Sequence, residues 1–265
     1  YKDGVKIYRF FPLNFYYTYY AQQRSLFIKP FWHLIDLWNP HSYIIIKKIL
    51  KKEKPDVVHT HNLGGLSAST ASAIRFLKIP HIHTLHDYAL LSPWSNLLRS
   101  GKIIKKFNVF DKICQKIKRH FTNEVDVVIA PSKFVMNMHI KNGFFLNCKK
   151  IVLPLGIELP RQNSMEKSYE TIDVLYVGQV SEYKGVDILI KAFKEIDLDN
   201  AWLHIIGEGA DLEKFKRLGA NDKRIKFYGF LQHQPLKKLY KKVNLLIVPS
   251  ICYDNSPTVI YESFS

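Results

Sequence analysis

Two carboxylates, one lysine and a set of glycines in the second half of the chain have the chemistry that a phosphate-bearing ligand requires. Asp254 and Glu262 stand eight residues apart in the run Asp254-Asn255-Ser256-Pro257-Thr258-Val259-Ile260-Tyr261-Glu262. With a helix starting near Pro257, Asp254 lies ahead of it and Glu262 inside it. Backbone N–H groups between Asn255 and Thr258 can then address a diphosphate, while Glu262 accepts bonds from ribose hydroxyls. The plainer alternative makes Asp254 or Ser256 an N-cap and Glu262 a solvated helix residue, and spacing alone leaves both open. Lys184, six residues after Gly178, offers a point charge to phosphate. Gly178, Gly207, Gly209 and Gly229 follow strand-like runs, where a missing Cβ lets backbone approach a ligand or simply eases a turn.

The first half contributes imidazoles and amides instead. His86-Asp87 and His61-Asn62 each end a strand-like run. His59/His61 and His81/His83 are HxH pairs that put two rings on one face of a strand, a spacing that suits metal ligation. No third ligand is evident from spacing, so packing or hydrogen bonding is the expected role. Gly207-Glu208-Gly209 lacks the third glycine of a dinucleotide fingerprint, with Leu212 in its place, which argues against a nicotinamide dehydrogenase.

The elements that must position these groups alternate. Strands are expected over residues 5–10, 56–60, 80–85, 125–130 and 150–154, then 172–177, 202–206, 224–228 and 244–248. Helices are expected over 26–37, 41–52, a stretch ending near 78, 103–121, a stretch capped by Ser132, 185–195, 210–218, 234–241 and from 257 onward. Ile103, Phe107, Phe110, Ile113, Ile117 and Phe121 mark an apolar stripe on the long helix. Residues 155–171 have no periodicity and read as a linker. The pattern is α/β: two doubly wound, Rossmann-like parallel-sheet domains, residues 1–160 and 161–265. The loops at 59–65, 86–87, 131–132, 178–185, 207–209, 229–230 and 249–257 all follow carboxyl ends of strands, where open parallel sheets bind ligands. Two such edges are expected to face each other across a cleft.

The chain has 265 residues and a net charge of +16, so its partners should be anionic: nucleic acid, acidic lipid or phosphorylated small molecules. The basic residues follow no nucleic-acid motif. Residues 99–119 hold eight Lys/Arg and one acid, which fits either a core helix with a solvated outer face or a helix on an acidic membrane surface. Phe10, Phe11, Phe15, Tyr16, Tyr17, Tyr19 and Tyr20 add aromatic rings that favour such an interface. Cys114, Cys148 and Cys252 are too few for a disulfide framework, and a reducing, cytoplasmic compartment follows.

Taken together, these segments resemble the family-4 retaining glycosyltransferases of GT-B fold. The likeness runs through Pro55-Asp56-Val57-Val58-His59-Thr60-His61-Asn62, Thr84-Leu85-His86-Asp87-Tyr88 and Val127-Val128-Ile129-Ala130-Pro131-Ser132. It continues through residues 175–185, Ile205-Ile206-Gly207-Glu208-Gly209, Val248-Pro249-Ser250 and the 254–262 run. The resemblance implies transfer of a hexose from a nucleoside-diphosphate sugar to a glycan or lipid-linked acceptor, with retention, in cell-surface polysaccharide synthesis. It implies no other cofactor and no metal, and a cytoplasmic location, peripheral at the inner face of the membrane. The competing reading is a nucleotide- or membrane-binding chain without catalysis.

Carried over by position, the likeness puts His86 beside the donor sugar, Lys184 on the diphosphate and Glu262 on the ribose. Asp254 takes the place of the first glutamate of an E-x7-E motif, so His86, Lys184 and Asp254 are the expected catalytic residues. Gly178, Gln179, Asn255, Ser256, Pro257 and Thr258 would join them around the donor, with Gly207, Gly209 and Phe230 bordering the base. His61, Asn62 and Asp87 would lie on the acceptor side. Gln179 replaces a usual arginine, and Asp254 is one methylene shorter than the usual glutamate. Asp197-Leu198-Asp199 matches the DxD metal motif of a different glycosyltransferase fold, but its position between a helix and the next strand reads as a solvated turn. The resemblance also implies further strands before Tyr1 and after Ser265, so both domains are expected to be incomplete.

Overall fold

The computed structural model describes residues 2–17, 20, 24, 25, 27–156 and 170–264. Tyr19, most of the expected linker and the expected boundary at 160/161 lie outside the described residues. The chain divides into two compact units, Tyr1–Ser95 with Lys105–Pro154, and Asn96–Ile104 with Leu155–Ser265.

In chain order come α1 (Lys29–Leu37), α2 (Pro40–Glu53), β1 (Val58–Thr60), α3 (Ser69–Phe76) and β2 (His81–Thr84). A hairpin of β3 (Leu98–Arg99) and β4 (Lys102–Ile103) belongs to the second unit. Next are α4 (Val109–Thr122), β5 (Val127–Ala130), α5 (Lys133–Lys141) and β6 (Lys149–Val152). The second unit continues with β7 (Ile172–Val177), a single helical turn Glu182–Lys184, α6 (Val186–Lys194), β8 (Ala201–Ile206) and α7 (Leu212–Gly219). It then has β9 (Ile225–Gly229), α8 (His233–Lys242), β10 (Leu245–Leu246) and α9 (Thr258–Ser263).

Each unit contains a four-stranded parallel sheet, ordered β1-β2-β5-β6 in the first and β10-β7-β8-β9 in the second. Strand alternation explains the two-sided cover of β7. Val174 and Tyr176 join a core with Leu189, Ile190, Phe193, Leu203 and Phe215, while Leu175 packs with Ile206 and Val243 on the other face. Local chemistry sets the helix starts. Asn39 accepts from the Ser42 N–H with Pro40 in the first turn, Ser132 caps α5, and Asn108 and Asp111 form a reciprocal capping box that opens α4. Among the described residues, no helix is long and apolar enough to cross a membrane.

Two expectations fail. Residues 5–10 form no strand beyond a bridge between Lys2 and Val5. With no strand alongside, their alternation has no face to bury, and Val5 and Ile7 stay exposed while Lys6 and Tyr8 bind Glu53. The long helix starts at Val109 rather than 103, because the capping box opens it there and residues 98–103 turn back as the hairpin. Of the apolar stripe, Phe110 and Ile113 are exposed, and the fully buried residues of α4 are instead Asp111, Cys114, Gln115 and Thr122. That polar face grips the segment after β2. Lys118 donates to the Ala89 carbonyl (2.5 Å), Gln115 to the Leu91 carbonyl (2.8 Å), and Asp111 accepts from Ser92 (2.9 Å). Irregular backbone carbonyls need donors, and this need selects the polar face.

Asp197 and Asp199 lie exposed in the turn between α6 and β8, as expected. Three adjacent strands of the second sheet share a hydrogen-bonded chain: His204 Nε2 is 2.6 Å from the buried Asp173 Oδ1, and His204 Nδ1 is 2.8 Å from the hydroxyl of Tyr228. Burial alone would raise the Asp173 carboxyl. Bonds from His204 and Thr171, with the Lys242 charge, outweigh it and hold the group below its ordinary 3.8. A carboxylate depressed on folding adds stability above its unfolded pKa and loses it as pH falls through the folded one. Asp173→Asn is therefore expected to cost about 2 kcal/mol at neutral pH, since charge-assisted bonds are worth ~1.5–3 kcal/mol. The gap from wild type should close as pH falls below 3.8; denaturant titrations at stepped pH check both, and a pH-independent gap refutes the account.

Candidate functional site

The second unit builds its site from loops that leave the carboxyl ends of adjacent strands. The loop after β7 runs from Gly178 to Gly185 between the loops after β10 and β8. A Cβ on Gly185 (φ +71°) would sit 2.1 Å from the Pro249 carbonyl oxygen, and one on Gly207 (φ +133°) would sit 1.8 Å from the Gly178 carbonyl oxygen. Gly209 meets Val180 in the same way, at 2.2 Å. These glycines let loop backbones touch each other, a close approach that the sequence left open between a ligand and a turn.

That packing delivers the single turn Glu182–Lys184 to the segment after β10. Lys184 Nζ forms an ion pair with Asp254 Oδ1 across 70 residues, both side chains less than a quarter exposed (24% and 21%). The Ile251 N–H donates to the Tyr183 carbonyl at 3.1 Å, and the Tyr183 hydroxyl binds the Gln179 side-chain oxygen. Tyr176 donates to the Gln179 carbonyl at 2.7 Å, and burial, followed by the Asp254 charge, pushes its phenol well up. α9 begins at Thr258 with Pro257 as N-cap, so Pro257 supplies no N–H. Ser256 Oγ lies 3.0 Å from the Tyr261 hydroxyl, and Asn255 Oδ1 is buried with no hydrogen-bond partner among the described residues. Glu262 accepts from the Tyr240 hydroxyl at 3.0 Å. Phe230, just past β9, is 68% exposed.

The first unit brings His61, Asn62, His86 and Asp87 together from the ends of adjacent strands β1 and β2. His61 Nδ1 lies 2.7 Å from His86 Nε2 with stacked rings, and Asn62 Nδ2 donates to Asp87 Oδ2 at 2.8 Å. Burial, then neighbouring His61, lowers the His86 pKa, with Asp87 opposing, so the ring is neutral at pH 7 and can donate and accept at once. The HxH pairs are hydrogen-bonded: His59 Nε2 is 2.7 Å from Thr84 Oγ1, and Thr60 Oγ1 is 2.8 Å from both His81 Nε2 and His83 Nδ1. Burial pushes His81 down to about 4 and His83 to about 3.

Beside this cluster lies a small cavity whose lining includes Asp36 and Lys118, which the sequence reading passed over. Asp36 was findable: it is the only acidic residue between Asp3 and Glu53. Lys118 was hidden among eight basic residues between Arg99 and Arg119. Tyr240 and Tyr183 carried no signal, because each acts through a partner distant in sequence or held in a turn.

Tandem units with parallel sheets fit the GT-B fold, and the family comparisons point the same way. Residues 9–161 match the model of Glycosyltransferase Family 4, and residues 161–265 match Glycosyl transferases group 1. The chain belongs to Glycosyltransferase Family 4. It is 26% identical over 255 residues to an uncharacterized 42.6 kDa protein in the cps region of Klebsiella pneumoniae, covering 93% of this chain and 65% of that protein. It is 24% identical over 222 residues to alpha-monoglucosyldiacylglycerol synthase of Streptococcus pneumoniae, covering 77% and 48%. The structure of Anabaena Alr3699/HepE in complex with UDP-glucose matches with a TM-score of 0.58 at 17% identity, over 85% of this chain and 60% of that one. The chain thus spans about half to two thirds of the length of these proteins.

Two outcomes follow from the geometry. Gly207→Ala is expected to destabilise the second unit by about 1–3 kcal/mol, the cost of a strained backbone position, read as a lower thermal midpoint; an unaltered midpoint would show that the loops do not need this contact. His61→Ala removes one of the influences that depress His86. The His86 midpoint in an NMR titration should then move up toward its ordinary 6.5, and a downward move contradicts the pairing.

Proposed function

We propose that the protein transfers a hexose from a nucleoside-diphosphate sugar to a glycan or lipid-linked acceptor, with retention of anomeric configuration, in cell-surface polysaccharide or glycolipid synthesis. Residues 161–265 would bind the donor and residues 1–160 the acceptor. The observation that carries the reading is the Lys184–Asp254 pair at the carboxyl edge of the second sheet. In the free protein, each charge neutralises the other. An entering diphosphate gives Lys184 a new anionic partner and frees Asp254 to accept from a sugar hydroxyl. The UDP-glucose held by the Anabaena neighbour and the likeness to a glycolipid synthase support donor and acceptor classes of this kind.

The remaining roles follow the chemistry of each group. Glu262 accepts from ribose hydroxyls, Phe230 offers an exposed ring to the base, and Gly178, Gln179, Gly207, Gly209, Asn255, Ser256 and Thr258 border the donor. With Gln179 uncharged, Lys184 carries the electrostatic stabilisation of the leaving diphosphate, in place of a metal ion. Neutral His86 bonds a hydroxyl of the transferred sugar. The bond from the anomeric carbon to the phosphate oxygen breaks, and the diphosphate leaves with its electron pair. The acceptor hydroxyl attacks from that same side and gives its proton to the departing phosphate oxygen, which retains the configuration.

A membrane-surface role accompanies this reading. Phe31 and Leu34 on α1 and Val109, Phe110 and Ile113 on α4 are exposed, and Lys105, Lys106, Lys112 and Lys116 are exposed around α4. Apolar rings beside lysines suit an acidic bilayer at the cytoplasmic face.

Lys184→Ala is expected to weaken UDP-glucose binding at least about tenfold, the worth of one charge-assisted contact. Calorimetric titration measures it, and equal affinity in the variant would refute the donor assignment. Co-sedimentation with anionic liposomes should fall as salt rises; binding that is absent or indifferent to salt removes the membrane role.

A further inference from the structure

The first unit holds a cavity of ≈ 40 Å³ whose polar lining includes Asp36, Lys118, His61, His86, Asn62 and Asp87. Four of these are engaged with one another, as His61 with His86 and Asn62 with Asp87. Asp87 also accepts from the Ala89 N–H at 2.8 Å, and Asn62 from the Gly64 N–H at 2.9 Å. Asp36 and Lys118 have capacity to spare. One Asp36 oxygen accepts from the Gly65 N–H at 2.8 Å, and Lys118 gives one N–H to the Ala89 carbonyl at 2.5 Å. Among the described residues, the other carboxylate oxygen and the two remaining ammonium hydrogens have no hydrogen-bond partner.

Keeping both charges out of bulk water is costly. Burial raises Asp36 to about 6 and lowers Lys118, and each group's charge opposes the other's shift. Two apolar side chains would hold α1 to α4 without that penalty. An opposed pair with unspent bonds, set in a cavity, instead suits recognition. The pair also selects by charge. An anion meets Asp36 and a cation meets Lys118, whereas a neutral hydroxyl donates to the carboxylate and accepts from the ammonium together. The volume exceeds the ~10–15 Å³ that a single water needs but falls far short of a whole sugar ring, so it fits one hydroxyl or hydroxymethyl arm.

We propose that Asp36 and Lys118 form a subsite for a hydroxyl or hydroxymethyl arm of a neutral, sugar- or glycerol-type acceptor, beside His86. The proposal rests on the glycosyltransferase reading for the word acceptor, but its binding chemistry can be tested apart from turnover. It assigns Asp36 a role in acceptor choice that no likeness in sequence supplies.

Saturation-transfer NMR on the full chain, with methyl α-D-glucopyranoside, glucuronate and glucosamine as probes and UDP-glucose in parallel samples, tests it. The neutral glucoside should give the strongest signal of the three monosaccharides. Asp36→Asn keeps the side-chain shape and the Gly65 bond, and should weaken glucoside binding at least about fivefold while UDP-glucose binding is unchanged. Lys118→Met should do the same, with its denaturation midpoint checked because Lys118 also holds Ala89. Equal glucoside binding in Asp36→Asn, preference for a charged sugar, or no glucoside signal in the wild type would each overturn the subsite. Asp36-dependent glucoside binding without any UDP-glucose binding supports the subsite and overturns the donor reading instead.

Discussion

Backbone touching backbone at the carboxyl edge of the second sheet is the constraint on which the rest depends. The Gly178 carbonyl occupies the place of a Cβ on Gly207, and the Pro249 carbonyl occupies that of a Cβ on Gly185. The loop after β7 is thereby held backbone to backbone against the loops after β8 and β10. Only with that spacing does the turn Glu182–Lys184 reach the segment after β10 and place Lys184 against Asp254. The strand order β10-β7-β8-β9 makes this possible, because β7 lies between the strands whose loops it must touch. Hydrophobic burial on both faces of β7 supplies the stability, and the glycines convert it into position.

The first unit solves the same problem with polar side chains. Adjacent parallel strands β1 and β2 end at His61-Asn62 and His86-Asp87, so the side chains pair imidazole with imidazole and amide with carboxylate. Behind them, Thr60 and Thr84 tie down His59, His81 and His83. His81 and His83, both buried, are kept neutral by desolvation, which removes the repulsion that imidazolium ions would otherwise exert on one another. A neutral His86 beside an anchored Asp87 is a hydrogen-bonding surface with a defined direction, suited to hydroxyl groups.

Much of this was legible in the sequence, and the failures share a cause. The alternation of strands and helices, the parallel sheets and the loop edges followed from periodicity and turn residues, because those signals are local. The Lys184 and Asp254 neighbourhood was reachable only through resemblance, since no local rule joins residues 70 apart. The glycines were rightly singled out: positive φ and close approach are readable, while the stretch of backbone that each one meets is not. Residues 5–10 and α4 erred for the same reason. Periodicity identifies a face, but not what lies against it.

The polar inner face of α4 has a structural consequence for the site. Its inner face spends Lys118, Gln115 and Asp111 on three positions of the segment that follows His86-Asp87. Phe110 and Ile113 are left outside, while Phe121 packs against Trp38. A helix held by hydrogen bonds to irregular backbone gains less from area burial than one seated on leucines, so its attachment depends on the number and geometry of those bonds. Lys118 is the one residue of that face shared with the cavity that also contains Asp36 and His86. The position of the loop and the polarity of the cavity are therefore tied to the same ammonium group, and a change in what that group binds must be felt at the Ala89 carbonyl, three residues from His86.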